Sequence, residues 1–250
     1  MNKILEVCVD SLASARAAIA GGADRLELCS ALIAGGLTPY AELLRQLRAE
    51  SDIPVRCLMR PRAGDFLYTP EELAMMINQI GMLAEAGADG FVIGCLTAEG
   101  ELDMDAMKPL VACCGGRGVT LHRCIDVSRD LEKTYLEAAE LSIDTVLTSG
   151  AAASCREGRE NIEKLLNLRD QTGGPEVLVG AGVNARLIRE FRQGMPGVRA
   201  FHMSGKKEVE SAMAFRRMGV PMGLPGLDEW HIPQTDAEAV RAARAALDAF

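Results

Sequence analysis

Little in this chain would tie it to a nucleic acid, a membrane or a structural metal. No block of basic residues stands out among its 250 residues, and the formal net charge is −8. A polyanion is bound through clustered lysine and arginine, so no nucleic-acid partner is expected. No uninterrupted apolar run is long enough to span a bilayer, and the first residues lack the charged-then-apolar pattern of a secretory signal. The expectation is a cytoplasmic chain without a membrane partner. None of the eight cysteines forms a CxxC pair, which argues against structural zinc. Cys113 and Cys114 are adjacent, too close for ordinary disulfide geometry, and the others are too sparse for the framework of a small secreted domain. They read as reduced thiols, packed or reactive. No GxGxxG follows the first apolar run, which weakens a dinucleotide-binding fold.

What is present is length and alternation. With 48% apolar residues the chain can bury a sizeable core. Extended segments are expected at 4–10, 24–29, 53–59, 89–95, 119–126, 145–149, 176–180 and 198–203. Helices are expected between and after them, at 12–20, 39–47, 69–86, 104–113, 131–141, 157–171, 185–192 and 235–249. Ser11 caps the first, Gly21-Gly22 ends it, and Thr69-Pro-Glu-Glu72 opens the third as a capped start. Eight strands alternating with eight helices, without a linker or a change of composition, predict one (β/α)8 TIM barrel over 1–250. The segment 206–234, with three prolines and little regular pattern, is expected to be a long loop over the barrel mouth.

A barrel of this kind places its ligands at the carboxyl ends of the strands. Glu6 and Cys8 share one face of the first strand, and Glu27 and Cys29 one face of the second. The third strand runs into Arg60-Pro-Arg-Ala-Gly-Asp65, where Pro61 ends the strand and two arginines stand beside Asp65. The fifth brings His122, Arg123 and Asp126, and the sixth Ser149 and Gly150. Gly180 and Gly182 follow the seventh, and His202 and Ser204 the eighth. Inward carboxylates need partners, and Arg60, Arg62 and Arg123 are available. Glycine-rich loops after strands seven and eight are where barrels bind phosphate through backbone N–H groups.

The segments Leu5-Glu-Val-Cys-Val-Asp-Ser11, Gly22-Ala-Asp-Arg-Leu-Glu-Leu-Cys29, Gly35-Gly-Leu-Thr-Pro39, Arg60-Pro-Arg-Ala-Gly-Asp-Phe66, Thr120-Leu-His-Arg-Cys-Ile-Asp126, Val146-Leu-Thr-Ser-Gly150 and Gly180-Ala-Gly-Val183 resemble the copper homeostasis protein CutC family. The resemblance covers most of the chain. It implies a TIM barrel, a cytoplasmic location, a homo-oligomer, and Cu(I) on the thiols of Cys8 and Cys29. The chain departs from the family pattern at Ala63, where glycine is usual, at Cys124-Ile125, where the family has Ala-Phe, and at Lys206-Lys207.

Two readings of the rim stay open. In one the ligand is a copper ion held as Cu(I) by Cys8 and Cys29, since soft thiolates suit that ion. In the other the chain is an enzyme for a small anionic or phosphorylated substrate. Arg60, Arg62 and Arg123 would hold the anion, helped by Ser149, Gly150, Gly180, Gly182, His202 and Ser204. His122 or Glu27 would move a proton and Asp126 or Asp65 orient the groups, with Glu6 also among the catalytic candidates. A mouth that serves only partner binding is the third possibility.

Overall fold

The computed structural model describes residues 3–217, 219–220, 222–223 and 228–250. Eight parallel strands close into a barrel in chain order. They are β1 (Ile4–Val9), β2 (Arg25–Leu28), β3 (Val55–Leu58), β4 (Gly90–Ile93), β5 (Gly118–Leu121), β6 (Thr145–Thr148), β7 (Glu176–Val179) and β8 (Ala200–Met203). The helices that follow are α1 (Leu12–Ala20), α2 (Ala41–Glu50), α3 (Pro70–Glu85), α4 (Met104–Cys113), α5 (Leu131–Glu140), α6 (Arg159–Thr172), α7 (Ala185–Gly194) and α8 (Ala237–Asp248). The expected TIM barrel is the observed fold. No described helix is long and apolar enough to cross a membrane.

Alternation along each strand separates two environments. Leu5, Val7 and Val9 of β1, with Leu26 and Leu28 of β2, are fully buried in the main apolar cluster that includes the helices. Each such side chain contributes about 1.5–3 kcal/mol of burial. The other parity carries Glu6, Cys8, Arg25 and Glu27, all buried as well. The barrel interior is therefore part ionic, and each charge there must be matched.

Register decides which of these groups meet. On one side of β1, Glu6 lies opposite Arg25 and Cys8 opposite Glu27. On the other side, where the barrel closes, Glu6 lies opposite His202. Local chemistry starts the helices as expected. Thr69 and Glu72 form a reciprocal capping box around Pro70, with Glu72 N donating to Thr69 Oγ1 at 3.2 Å and Thr69 N to Glu72 Oε2 at 2.9 Å.

Two segments differ from the sequence expectation. The fifth strand stops at Leu121, and Arg123–Val127 form a short 3-10 turn. The His122 ring causes the break, because its Nδ1 accepts the Cys124 N–H at 3.1 Å and caps that turn. The segment 206–234, expected as a loop, begins and ends as strands. β9 (Lys206–Glu210) and β10 (His231–Thr235) pair antiparallel. Its apolar signal was thin, since Val209 opposite Ile232 is the one apolar cross-strand pair in a charged ribbon. The part of that loop at 218, 221 and 224–227 lies outside the described residues.

Candidate active site

The core of the site is Glu6, which no solvent reaches. Its two oxygens have separate partners. Arg25 Nε donates to Oε2 at 2.5 Å, and His202 Nδ1 lies 2.8 Å from Oε1. Burial pushes the Glu6 carboxyl up, but the charge of Arg25 and the bond to His202 more than offset it, and the group falls to about 2. A carboxylate fixed on Nδ1 sets the imidazole orientation and leaves Nε2 for chemistry. That nitrogen faces Glu27, with Oε2 at 3.9 Å.

Cys8 completes the group. A sulfur of Cys8, a carboxylate oxygen of Glu27 and a ring nitrogen of His202 all lie within 4.8 Å of one another. Burial would lower His202. The electrostatic influence of Cys8 and Glu27, and the bonds to Cys8 and Glu6, outweigh it and hold the imidazole well above its usual range. Glu27 moves the other way from Glu6. Burial foremost, helped by the Glu6 charge and opposed by His202 and Arg25, pushes it up to about 7. Two carboxyls on neighbouring strands thus sit far apart in acidity, one a permanent anion and one able to exchange a proton near neutrality.

These groups open on a cavity of about 330 Å³ at the carboxyl end of the barrel. Cys8, Glu27 and His202 line its floor, while Arg123, Gly182 and Lys206 are on its walls. Arg123 is half exposed, and two of its nitrogens are engaged, Nε with Asp126 at 2.7 Å and Nη2 with Ser149 Oγ at 2.8 Å. Nη1 has no partner among the described residues. Lys206 is exposed and likewise without a partner among them, whereas Lys207 beside it pairs with Asp236 at 3.0 Å. Ala181 and Gly182, also on the wall, have φ of 70° and 87°. For Ala181 that conformation costs about 1–2 kcal/mol, and strain of this kind collects at ligand sites. Neither of their N–H groups has a partner among the described residues.

Several of the residues singled out from the sequence have other duties. Arg60 does not face the mouth. Its Nη1 donates to the Ala34 and Gly36 carbonyls at 3.1 and 3.0 Å, and its Nη2 to the Gly64 carbonyl at 2.9 Å, so it ties two loops together. Arg62 and Asp65 pair with each other at 2.9 Å on the exposed rim, and Arg62 also donates to Glu72 at 2.7 Å. His122 is buried, packed at a tilt against Phe66 with ring centroids 4.7 Å apart, and pushed down to about 3 by burial and then by the Arg60 charge. It is neutral at ordinary pH and does not line the cavity.

Asp126 is an anchor. It accepts from Thr148 Oγ1 at 2.5 Å and from the N–H groups of Ser149 at 3.0 Å and Ala151 at 3.1 Å, as well as from Arg123. That uses the Ser149 N–H, and the Gly150 N–H goes to Thr148 Oγ1 at 2.8 Å. Gly180 donates to the Thr148 carbonyl at 2.9 Å. These amides are therefore not free for an anion, in contrast to that of Gly182. Ser204 lines the cavity. Cys29 is fully buried in a small apolar cluster with Leu58 and Val92, and its Sγ donates to the Val9 carbonyl at 3.4 Å. Burial, and then the Glu27 charge, push its thiol far up. It stands outside the Cys8–Glu27–His202 group.

The sequence reading missed Arg25. The signal was there, because Arg25 shares strand parity with Glu27 and so had to point into the barrel. Arg56 follows the same rule and bonds to Thr120 at 2.6 Å and Asp144 at 2.6 Å.

Fold and site together define a (β/α)8 barrel with a buried thiol, carboxyl and imidazole at its carboxyl-end mouth. The sequence pattern of the CutC family matches residues 3–207. A CutC family protein of Chromobacterium violaceum is 41% identical over 249 residues, 99% of each chain. One from Bacteroides thetaiotaomicron is 39% identical over 94% of each. The crystal structure of the putative copper homeostasis protein CutC from Streptococcus agalactiae superposes with a TM-score of 0.75 at 27% identity, covering 81% of this chain and 98% of that one. The chain belongs to the CutC family.

Proposed function

We propose that the mouth is the active site of an enzyme that transfers a proton on a small anionic substrate. Glu27 is the group that gives and takes the proton, and His202, held by Glu6, is its partner. Cys8 adds a thiol within reach of both. Arg123, Lys206 and the amides at Ala181 and Gly182 hold the anion. The observation that supports this most is the division of labour between the two carboxyls. Glu6 is committed to Arg25 and His202, while Glu27 is pushed up to about 7 and faces the cavity. The eight free cysteines fit a protein of the cytoplasm.

The test is thermal stability with added sulfate or phosphate. A bound anion raises the melting temperature of the wild type, and the Arg123→Ala/Lys206→Ala double variant loses that rise. An equal rise in both would remove the anion from the mouth.

One observation favours a second reading. The Cys8, Glu27 and His202 donors lie close enough to share a metal, and the Streptococcus agalactiae structure carries a copper homeostasis name. Thiolate and imidazole suit Cu(I), and a carboxylate suits it less. In this reading Cys8 and His202 hold the copper ion. Cys29, a buried thiol bonded to a carbonyl, does not join them.

A further inference from the structure

A second cavity, of about 400 Å³, lies beside the mouth between α1, the turn at 31–34 and the β9–β10 ribbon. Its character is different. The mouth has an acid, an imidazole, a thiol and two cations, whereas this groove carries an apolar wall that includes Ala13, Ile33, Ile232 and Pro233. Ile33 and Ile232 are 56% and 48% exposed, large apolar side chains that nothing described covers. Of its polar side chains, those of Gln234 and Lys206 have no partner among the described residues, and most of the others are committed. Ser11 and Ser14 bond to each other at 3.1 Å, Ser14 Oγ also accepts the Thr235 N–H at 3.2 Å, and Asp10 accepts the Leu32 N–H at 3.3 Å. The groove therefore offers a ligand apolar contact and few hydrogen bonds.

The two cavities are continuous in their lining. Leu32, Ser204 and Lys206 belong to both. Lys206 is the informative one, because its ammonium has no partner among the described residues and stands where the polar mouth meets the apolar groove. Arg123 lies on the mouth side only. A molecule with its charge between these two cations has the groove as its natural continuation.

The geometry points to an amphipathic ligand: a small anion whose head group sits at Lys206 and Arg123 and whose aliphatic portion runs past Leu32 into the groove. This rests on the anion reading of the mouth and names the class of substrate that reading leaves open. The family-wide match ends at residue 207, within β9, so the groove wall supplied by β10 lies beyond it. That wall is separate from the acid–base centre, because no β10 residue lines the mouth.

The experiment measures binding of inorganic phosphate, methyl phosphate and hexyl phosphate to the full chain by calorimetry. It uses the wild type, Ile33→Asp and Ile232→Asp, both changes being at half-exposed side chains. A buried methylene is worth roughly fourfold in affinity. Hexyl phosphate should bind the wild type at least about tenfold tighter than methyl phosphate, which requires only two of its five extra methylenes to be buried. Each Asp variant should reduce that advantage to within about twofold and leave inorganic phosphate unaffected. Equal binding of methyl and hexyl phosphate by the wild type would overturn the groove assignment and leave the anion site standing. A hexyl advantage that survives in both variants would also overturn it. Failure of all three phosphates to bind would overturn the groove and the anion site together.

Discussion

Glu6 and His202 lie 196 residues apart in the chain and meet where β8 closes the barrel against β1, with imidazole Nδ1 2.8 Å from carboxylate Oε1. The pair exists only because the barrel is closed. Arg25 on the other side of Glu6 makes the same carboxylate a clamp between β2, β1 and β8.

Replacing Glu6 with Gln keeps the shape and removes the charge. Arg25 and His202 would then be buried cations without their anion. Breaking a buried pair in this way costs about 3–5 kcal/mol. Urea unfolding at pH 7 should show that loss for Glu6→Gln, and a loss below about 1 kcal/mol would mean the pair contributes little.

Glu27 gives stability a pH dependence of its own. Its carboxyl rises from an ordinary 4.5 to about 7 on folding, so the folded chain favours the protonated form. The contribution is full below pH 4.5 and is lost as pH rises through 7. It amounts to at most about 3 kcal/mol. Glu27→Gln cannot lose it. Between pH 5 and pH 8 the wild type should therefore fall in stability relative to Glu27→Gln, and parallel urea-unfolding curves for the two would contradict the assignment. Glu6 acts with the opposite sign. Its carboxyl is lowered from 4.5 to about 2, so its contribution is present above pH 4.5 and disappears on acidification toward pH 2.

Arg60 separates architecture from binding. It holds three backbone carbonyls, and a buried carbonyl left without its donor costs about 1–3 kcal/mol. Arg60→Ala should lower the melting temperature yet keep the rise on adding sulfate. Loss of that rise would return Arg60 to the anion site.

The two cysteines differ in the copper reading. In an anaerobic Cu(I) competition with a chromophoric chelator, Cys8→Ser should surrender the metal and Cys29→Ser should retain it. Equal loss in both variants would restore a Cys8–Cys29 pair.

Much of the architecture was legible because strand parity and helix caps are local. Glu6 with Cys8, and Glu27 with Cys29, could be put on common faces from spacing two alone. The same spacing would have found Arg25. The arginine loop was less legible, because parity stops governing direction once Pro61 and Gly64 turn the chain. The Arg62–Asp65 pair closes the loop between residues the sequence already sets side by side, but Arg60 goes to the Ala34 and Gly36 carbonyls, which the sequence does not place nearby. His122 sat at the end of a real strand, yet its ring folded back to cap the next turn. Cys8 and Cys29 differ in their neighbours: strand register sets Cys8 beside Glu27, while Cys29 packs with Leu58 and Val92. Register of that kind is a property of the closed sheet.

Sulfate binding followed by calorimetry from pH 6 to pH 8, in wild type and Glu27→Gln, tests the acid–base centre most directly. Sulfate keeps its charge over this range. Glu27 gains a negative charge beside the bound anion, which should weaken wild-type binding by at least about threefold on going to pH 8. Glu27→Gln should show a flat profile. The same slope in both proteins, or no sulfate bound by either, would contradict a mouth in which Glu27 exchanges a proton next to an anion.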